Sequence, residues 1–177
     1  MRYPDPGDGR YARLEHEQRW LLSRLPDGLK DPVEIRDRYL SHTRLRLRRM
    51  QSSGTVVWKL AQKVRLNEAS PELVKLTNIY LDEHEYQRLF QMEADVLVKT
   101  RWHWGVDGHA FSVDAFGGDL EGLVLAEVEL GPQEGHIAPP PFVVVEVTSD
   151  DRYSGGALAA LDGQGAAELQ RNAPTPR

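Results

Sequence analysis

The chain has 177 residues, of which 40% are hydrophobic and 28% charged, proportions that predict a globular protein of one domain with a substantial buried core. It has no cysteine and no apolar run of signal-peptide or membrane-spanning length, which excludes disulfides and thiolate-bound zinc and leads us to expect a cytoplasmic protein without membrane contact. The net charge of −5 argues against a general nucleic-acid binder, so no nucleic-acid partner is expected.

Alternating apolar and polar residues, interrupted by turn residues, predict a chain built mainly of β-strands. After an irregular lead-in at residues 1–10, the predicted strands are residues 11–22, 35–40, 43–50, 55–66, 73–81, 94–104, 109–116, 123–130 and 143–151. The first of these is also compatible with a helix. Turns are expected at QSSG, residues 51–54, and at Asp107-Gly108.

Helices are predicted in two places only. Asp82 and Glu85 form a capping pair that opens a short helix over residues 84–92, and one or two helical turns are expected around residues 157–161. We expect residues 162–177 to form a polar tail. No repeat or interdomain linker is evident, so residues 1–177 are interpreted as a single domain with its core at about 11–158. Many strands and few helices favour a barrel or a sandwich.

The segment LEHEQRW, residues 14–20, contains the first candidate site. If it is extended, Glu15, Glu17 and Arg19 share one face, because successive side chains of a strand point to opposite sides. Two carboxylates can hold a hard divalent ion, and a guanidinium can bind phosphate with two hydrogen bonds. Such a pattern alone is usually a solvated helix face, but the same alternation recurs, with matching charge, later in the chain.

Cations occupy every second residue, or every fourth, in three later segments. They are Arg44, Arg46 and Arg48, then Lys59, Lys63 and Arg65, then Lys99 and Arg101. Each segment alone could be a sheet surface that faces solvent. Stacked cations on neighbouring strands repel one another unless an anion neutralises them, so three such strands together indicate an anionic ligand.

Acids follow the same spacing near the end of the chain: Glu127 and Glu129 alternate, and Asp114 and Glu146 lie in similar strands. Residues 36–65 are thus heavily basic and residues 107–151 strongly acidic. If the two sets line one closed sheet, the interior becomes a polar tunnel with space for a metal triphosphate. Hard oxygen ligands suit Mg²⁺ or Mn²⁺ rather than zinc.

In their order and spacing, these segments resemble the CYTH superfamily, also called triphosphate tunnel metalloenzymes, from about residue 11 to residue 158. The hallmark E-x-E-x-K appears as Glu15, Glu17 and Arg19, with arginine in place of lysine. The other family-like elements are Tyr39-Leu40, Arg44 and Arg46, Lys59, Lys99 and Arg101, Asp114, Glu127 and Glu129, and E-V-T-x-D-x-x-Y from Glu146 to Tyr153.

The resemblance implies an α+β chain that is mainly antiparallel β: a closed, eight-stranded barrel with a few peripheral helices, whose tunnel binds a triphosphate together with Mg²⁺ or Mn²⁺. The implied metal ligands are Glu15, Glu17, Glu127 and Glu129, with Asp114 and Glu146 as secondary candidates. The implied phosphate ligands are Arg19, Arg44, Arg46, Lys59, Lys99 and Arg101. The catalytic candidates are Glu15, Glu17, Lys59 and Lys99. Lys63, Arg48 and Arg65 share the parity of their strands but lie outside the motifs.

The activity that the resemblance implies first is hydrolysis of a linear triphosphate, with inorganic tripolyphosphate as the preferred substrate. The alternatives are a thiamine triphosphatase, a class IV adenylyl cyclase and a non-catalytic polyphosphate-binding module. The cyclase ranks lower because its relatives tend to carry a His-Phe pair where this chain has Tyr11-Ala12-Arg13-Leu14. Arg19 cannot release a proton, so a role as a base is excluded at that position. The expected oligomeric state is a monomer or a homodimer.

Overall fold

The computed structural model describes residues 9–65, 73–131 and 134–173, and these residues form one antiparallel sheet closed into a barrel. The strands are β1 (Arg13–Leu22), β2 (Lys30–Leu40), β3 (Leu45–Ser52), β4 (Thr55–Arg65), β5 (Leu73–Leu81), β6 (Ala94–Val106), β7 (His109–Phe116), β8 (Val124–Glu129) and β9 (Val143–Glu146). The segment that was compatible with either a strand or a helix is thus a strand, and residue 66 lies outside the described residues.

Strand β1 closes the barrel by pairing with two strands of the sheet. Its residues 17–21 pair with β8, and its residues 13–16 pair with β5 at the other end of the strand order. Strand β9 adds to β1 as an extra strand beyond the eight of the barrel. The predicted closed, eight-stranded antiparallel barrel is therefore confirmed, and a sandwich is excluded.

Both predicted turns form tight hairpins. Asp107 and Gly108 have φ angles of 49° and 82°, and Ser53 and Gly54 have φ angles of 47° and 81°. Positive φ at both central residues suits the right-handed twist of the strands that such a turn joins. These hairpins fix the registers of β6 with β7 and of β3 with β4, and therefore decide which side chains face the interior.

The outer faces of the strands are covered in two places. Helix α1 (Glu83–Leu89) packs Tyr86 against Leu40 and Leu47, and Asp82 and Glu85 exchange hydrogen bonds of 2.8 and 2.9 Å as the predicted capping box. A second apolar cluster around Trp20, on the outer faces of β1, β7 and β8, packs against Ile137 of the loop that precedes β9. These contacts direct the opposite, charged faces inward.

One end of the barrel is filled by apolar side chains and the last helices. Helix α2 (Gly155–Ala159) packs Leu158 against Leu97 and Phe116, which face the interior. None of the helices within the described ranges is both long and apolar enough to cross a membrane.

The predicted boundaries at the C-terminus need two corrections. The strand expected over residues 143–151 ends at Glu146, because the Asp150 carboxylate accepts a hydrogen bond from the Arg152 amide and begins a 3-10 turn. The tail expected over residues 162–177 instead contains helix α3 (Gly163–Arg171), in which Ala166 and Leu169 are buried; residues 174–177 are not described. The three-residue spacing of these apolar side chains produces one buried helix face.

A stability prediction arises where α2 meets the barrel. A Cβ atom at Gly155 would lie 1.9 Å from the Tyr39 hydroxyl oxygen, whereas one at Gly156 would make ordinary contact with the Tyr39 ring at 3.6 Å. Gly155→Ala is therefore expected to lower the free energy of unfolding by about 1–3 kcal/mol, since the helix or the tyrosine must shift. Thermal denaturation of Gly155→Ala beside Gly156→Ala measures this, and equal melting temperatures would contradict it.

Candidate active site

The interior of the barrel contains a cavity of about 990 Å³ that is lined by side chains of both charges. The lining cations are Arg19, Arg46, Arg48, Lys59, Lys63, Arg65, Lys99 and Arg101. The lining acids are Glu15, Glu17, Asp114, Glu127, Glu129 and Asp151. The opposed charges that the sequence pattern predicted therefore share one space, which is large enough for a small polyanion.

The carboxylates of β1 and β8 form what we call the acidic side of the cavity: Glu15, Glu17, Glu127 and Glu129. Glu17 lies opposite Glu129, and Arg19 lies opposite Glu127, in the register of the two strands. Cross-strand partners project from the same face, so the register puts all four acids on the interior face of the sheet. Glu129 is exposed at the edge of the cavity, whereas the other three are partly buried.

Two cations form ion pairs with carboxylates of the acidic side. Arg19 donates through Nε to Glu127 at 3.2 Å and through Nη2 to Glu17 at 3.4 Å. Lys63 donates to Glu17 at 3.2 Å and lies 3.3 Å from Glu15. Burial and the charge of Glu127 nevertheless raise the pKa of Glu17. Burial opposes ionisation of Glu127 as well, but Arg19 and Arg101 outweigh it and lower the pKa of that carboxyl.

The carboxylate oxygens of the acidic side are ligands of the kind that a hard cation prefers. Oε2 of Glu15 is buried and makes no hydrogen bond within the part of the chain that the structure describes, although Lys63 Nζ lies 3.3 Å away. Within the same residues, no three carboxylate or imidazole groups are already gathered closely enough to hold a metal. A divalent ion would therefore have to displace Arg19 or Lys63 from these oxygens.

A second ion-pair network lies on β6 and β7. Asp114 accepts hydrogen bonds from Lys99 Nζ at 2.5 Å and from Nε and Nη2 of Arg101, both at 2.7 Å. Burial, which disfavours the charged amine, lowers the pKa of Lys99 to about 8, and the charge of Arg101 adds to this effect despite the contact with Asp114. Arg101 keeps its charge, because a guanidinium does not lose its proton in proteins.

Strands β2 and β3 contribute a third network, which the sequence patterns did not reveal. Asp37 is fully buried and accepts two hydrogen bonds of 2.6 Å from Arg48, and its Oδ1 lies 3.7 Å from Arg46 Nε. The signal available in the sequence was that Asp37 shares the parity of Tyr39, one of the family-like residues. In the structure, Tyr39 lines the cavity. A single acid between basic residues is easily interpreted as part of a solvated surface.

Most of the predicted site residues do meet in the cavity. Those that line it are Glu15, Glu17, Arg19, Arg46, Lys59, Lys99, Arg101, Asp114, Glu127 and Glu129. Lys63, Arg48 and Arg65, which lay outside the family-like motifs, line it as well. Lys59 Nζ lies 5.1 Å from the centroid of the Tyr80 ring. Tyr80 is largely exposed.

The structure corrects two of the predicted positions. Arg44 is exposed in the turn before β3, because Thr43 Oγ1 bonds the Leu40 carbonyl and the Leu45 amide and delays the start of the strand. Glu146 lies opposite Trp20, on the outer face of the sheet, and accepts a hydrogen bond from Thr148 at 2.7 Å. Arg44 therefore does not line the cavity, and Glu146 does not join the acidic side.

A closed antiparallel barrel with acids and cations around one interior cavity is the architecture of the triphosphate tunnel proteins. No family model matches the chain. It is 32% identical over 151 residues to an inorganic triphosphatase of Nitrosomonas europaea, which covers 82% of this chain and 96% of the relative. It is also 39% identical over 61 residues to an inorganic triphosphatase of Acetivibrio thermocellus, which covers 34% of this chain and 39% of that protein.

A solved structure agrees with these matches. The crystal structure of an inorganic triphosphatase, 31% identical in sequence, superimposes with a TM-score of 0.58 over 84% of this chain and 95% of that one. The chain belongs to the CYTH superfamily of triphosphate tunnel metalloenzymes.

Proposed function

We propose that this protein hydrolyses inorganic tripolyphosphate inside the barrel cavity. The observation that supports the proposal most directly is that cations and acids line one cavity inside the barrel. Tripolyphosphate carries roughly four negative charges, an estimate from ordinary phosphate ionisation, so several cations must surround it. Both curated relatives are inorganic triphosphatases, which favours a hydrolase over the cyclase and the binding module.

Magnesium or manganese is the metal that we propose for the acidic side. Glu15, Glu17 and Glu127 would hold it, with Glu129 at the edge, because carboxylate oxygens are the ligands that these ions prefer. One such oxygen is the buried Oε2 of Glu15, which makes no hydrogen bond among the described residues although Lys63 Nζ lies 3.3 Å away. Once bound, such an ion supplies Lewis-acid polarisation of a phosphoryl oxygen and acidifies a coordinated water.

The residues of the chain have distinct tasks in this proposal. Arg46, Lys59 and Arg101 would bind the phosphoryl oxygens and offset the charge that develops as the terminal phosphoryl group is transferred to water. Arg19 and Lys63 hold the acidic side in place of a metal, and each would be released toward the substrate when its carboxylate partner binds one. Helix α2 and the apolar cluster around it limit access of bulk water from one end.

A substrate panel tests the proposal. Phosphate and cyclic AMP would be measured with tripolyphosphate, pyrophosphate, thiamine triphosphate and ATP, each with magnesium, with manganese and with a chelator. We expect tripolyphosphate to be hydrolysed fastest, only with metal, and without cyclic AMP. Cyclic AMP formed from ATP would favour the cyclase, and tight tripolyphosphate binding without turnover under either metal would favour the binding module.

The pH dependence of kcat/KM should reveal the ionisation of Lys99. Its charged form attracts phosphate, and its pKa of about 8 in the free enzyme means that this charge is lost as the pH rises through that value. We therefore expect kcat/KM for tripolyphosphate to fall above about pH 8. The matched variant Lys99→Arg keeps its charge, so its kcat/KM should not fall in this way. The comparison separates the ionisation of Lys99 from that of the substrate. A wild-type profile that stays flat or rises above that pH would contradict the assignment.

A further inference from the structure

We propose that Asp37 is a positioning residue, which fixes the directions of the two cavity arginines of β3, Arg46 and Arg48. This inference rests on the proposed function, because the arginines matter only if a polyanion is bound. Asp37 is not proposed to touch the substrate or a metal.

The register of β2 and β3 places Asp37 where it can do this. Asp37 lies directly opposite Arg48, and Tyr39 lies opposite Arg46. Asp37 is 0% exposed, and each of its carboxylate oxygens accepts one of the two 2.6 Å hydrogen bonds from Arg48, so the planes of the two groups are locked together. This pairing uses Nε and Nη2 of Arg48 and leaves that guanidinium little freedom.

The electrostatic surroundings explain why an anion is needed there. Arg48 lies opposite Lys59 in the register of β3 and β4, and Arg46 projects from the same face two residues away. Like charges directly opposite one another on a sheet repel. Burial opposes ionisation of Asp37, but Arg48 and Arg46 outweigh it and lower the pKa of the carboxyl to about 2. Asp37 therefore stays charged at neutral pH.

Asp37 holds Arg46 less tightly than it holds Arg48. Its Nε atom is buried, lies 3.7 Å from Asp37 Oδ1 and makes no hydrogen bond within the described ranges. Tyr39, its partner in the register of β2 and β3, lies beside this side chain, and both residues line the cavity. Asp37 thus attracts Arg46 without consuming its Nε–H donor. A guanidinium that is already oriented when the substrate arrives costs no reorganisation during the reaction.

The competing explanation is that Asp37 only compensates a buried charge and so supports folding. Kinetics of the folded protein separate the two. For Asp37→Asn we expect kcat per folded molecule to fall at least about tenfold while KM changes by less than about threefold, because charge attraction remains and orientation is lost. Asp37→Glu, which keeps the charge but displaces it by one methylene, should show an intermediate kcat. Asp27→Asn removes an exposed partner of Arg24 and serves as the control.

A double-mutant cycle tests whether Asp37 acts through Arg46. If it does, Asp37→Asn should lower kcat/KM much less in an Arg46→Gln background than in the wild type. Equal effects in both backgrounds, or a kcat of Asp37→Asn within about twofold of wild type, would overturn the proposal. If Asp37→Asn does not fold, Asp37→Glu takes its place in the same cycle.

A spectroscopic measurement makes this test independent of turnover. Nitrogen–proton NMR spectra would follow the arginine Nε–H groups, assigned by the peak lost in Arg46→Lys and in Arg48→Lys. Tripolyphosphate added without metal should shift the Arg46 peak and leave that of Arg48 in place. In Asp37→Asn the Arg48 peak should move and the Arg46 response should shrink. Unchanged peaks and responses would overturn the positioning role, whereas a wild type that releases no phosphate would overturn only the proposed hydrolysis.

Discussion

Replacement of Glu127 by glutamine should lower kcat for tripolyphosphate by about 10²–10³-fold, the usual cost of removing one electrostatic contributor to a transition state. Glu127 accepts a hydrogen bond from Arg19 at 3.2 Å and lies 3.8 Å from Arg101. The amide keeps the size of the side chain but removes the charge that a divalent ion would need. It also leaves the two guanidinium groups without their shared counterion.

The measurement is phosphate release at saturating tripolyphosphate and a range of magnesium concentrations. If Glu127 holds the metal, the magnesium concentration required for half-maximal activity should rise in Glu127→Gln. The matched control is Glu146→Gln. Glu146 is also a glutamate of a family-like motif, but it lies on the outer face of the sheet. Activity unchanged by Glu127→Gln, or lost to the same degree in Glu146→Gln, would refute the acidic side as the metal site.

Replacement of Arg46 by glutamine should lower kcat/KM for tripolyphosphate by about 10–100-fold, because a hydrogen bond to a charged group contributes about 1.5–3 kcal/mol. Arg46 lines the cavity, and its buried Nε has no hydrogen-bond partner among the described residues. A phosphoryl oxygen that binds Arg46 therefore displaces no hydrogen-bond partner of Nε.

Arg44→Gln provides the comparison for this prediction. Arg44 and Arg46 have the same chemistry and the same parity in the sequence, but Arg44 is exposed before β3 begins. We expect Arg44→Gln to keep kcat/KM within about twofold of the wild type, as is usual for a surface substitution. Equal losses in the two variants would mean that a general attraction of the positive residues, rather than contact inside the cavity, binds the substrate.

The sequence determined the local features of this protein because their causes are local. Side-chain direction alternates along a strand, so the sequence of β1 groups Glu15, Glu17 and Arg19 on one face once the segment is extended. Asp107-Gly108 and the Asp82–Glu85 capping pair specify a hairpin and a helix start, because each depends on residues close together in the chain.

The tertiary structure alone decided what lies across from each alternating pattern. Glu146 lies outside the site because its register with β1 directs it outward. Arg44 lies outside it for a local reason, since the hydrogen bonds of Thr43 to Leu40 and Leu45 delay the start of β3. The sequence patterns did not reveal Asp37, because its importance comes from Arg48, which lies opposite it on another strand. A period of two residues fixes parity within one strand but carries no information about register between strands, which is set by hairpin turns and by packing across the closed barrel.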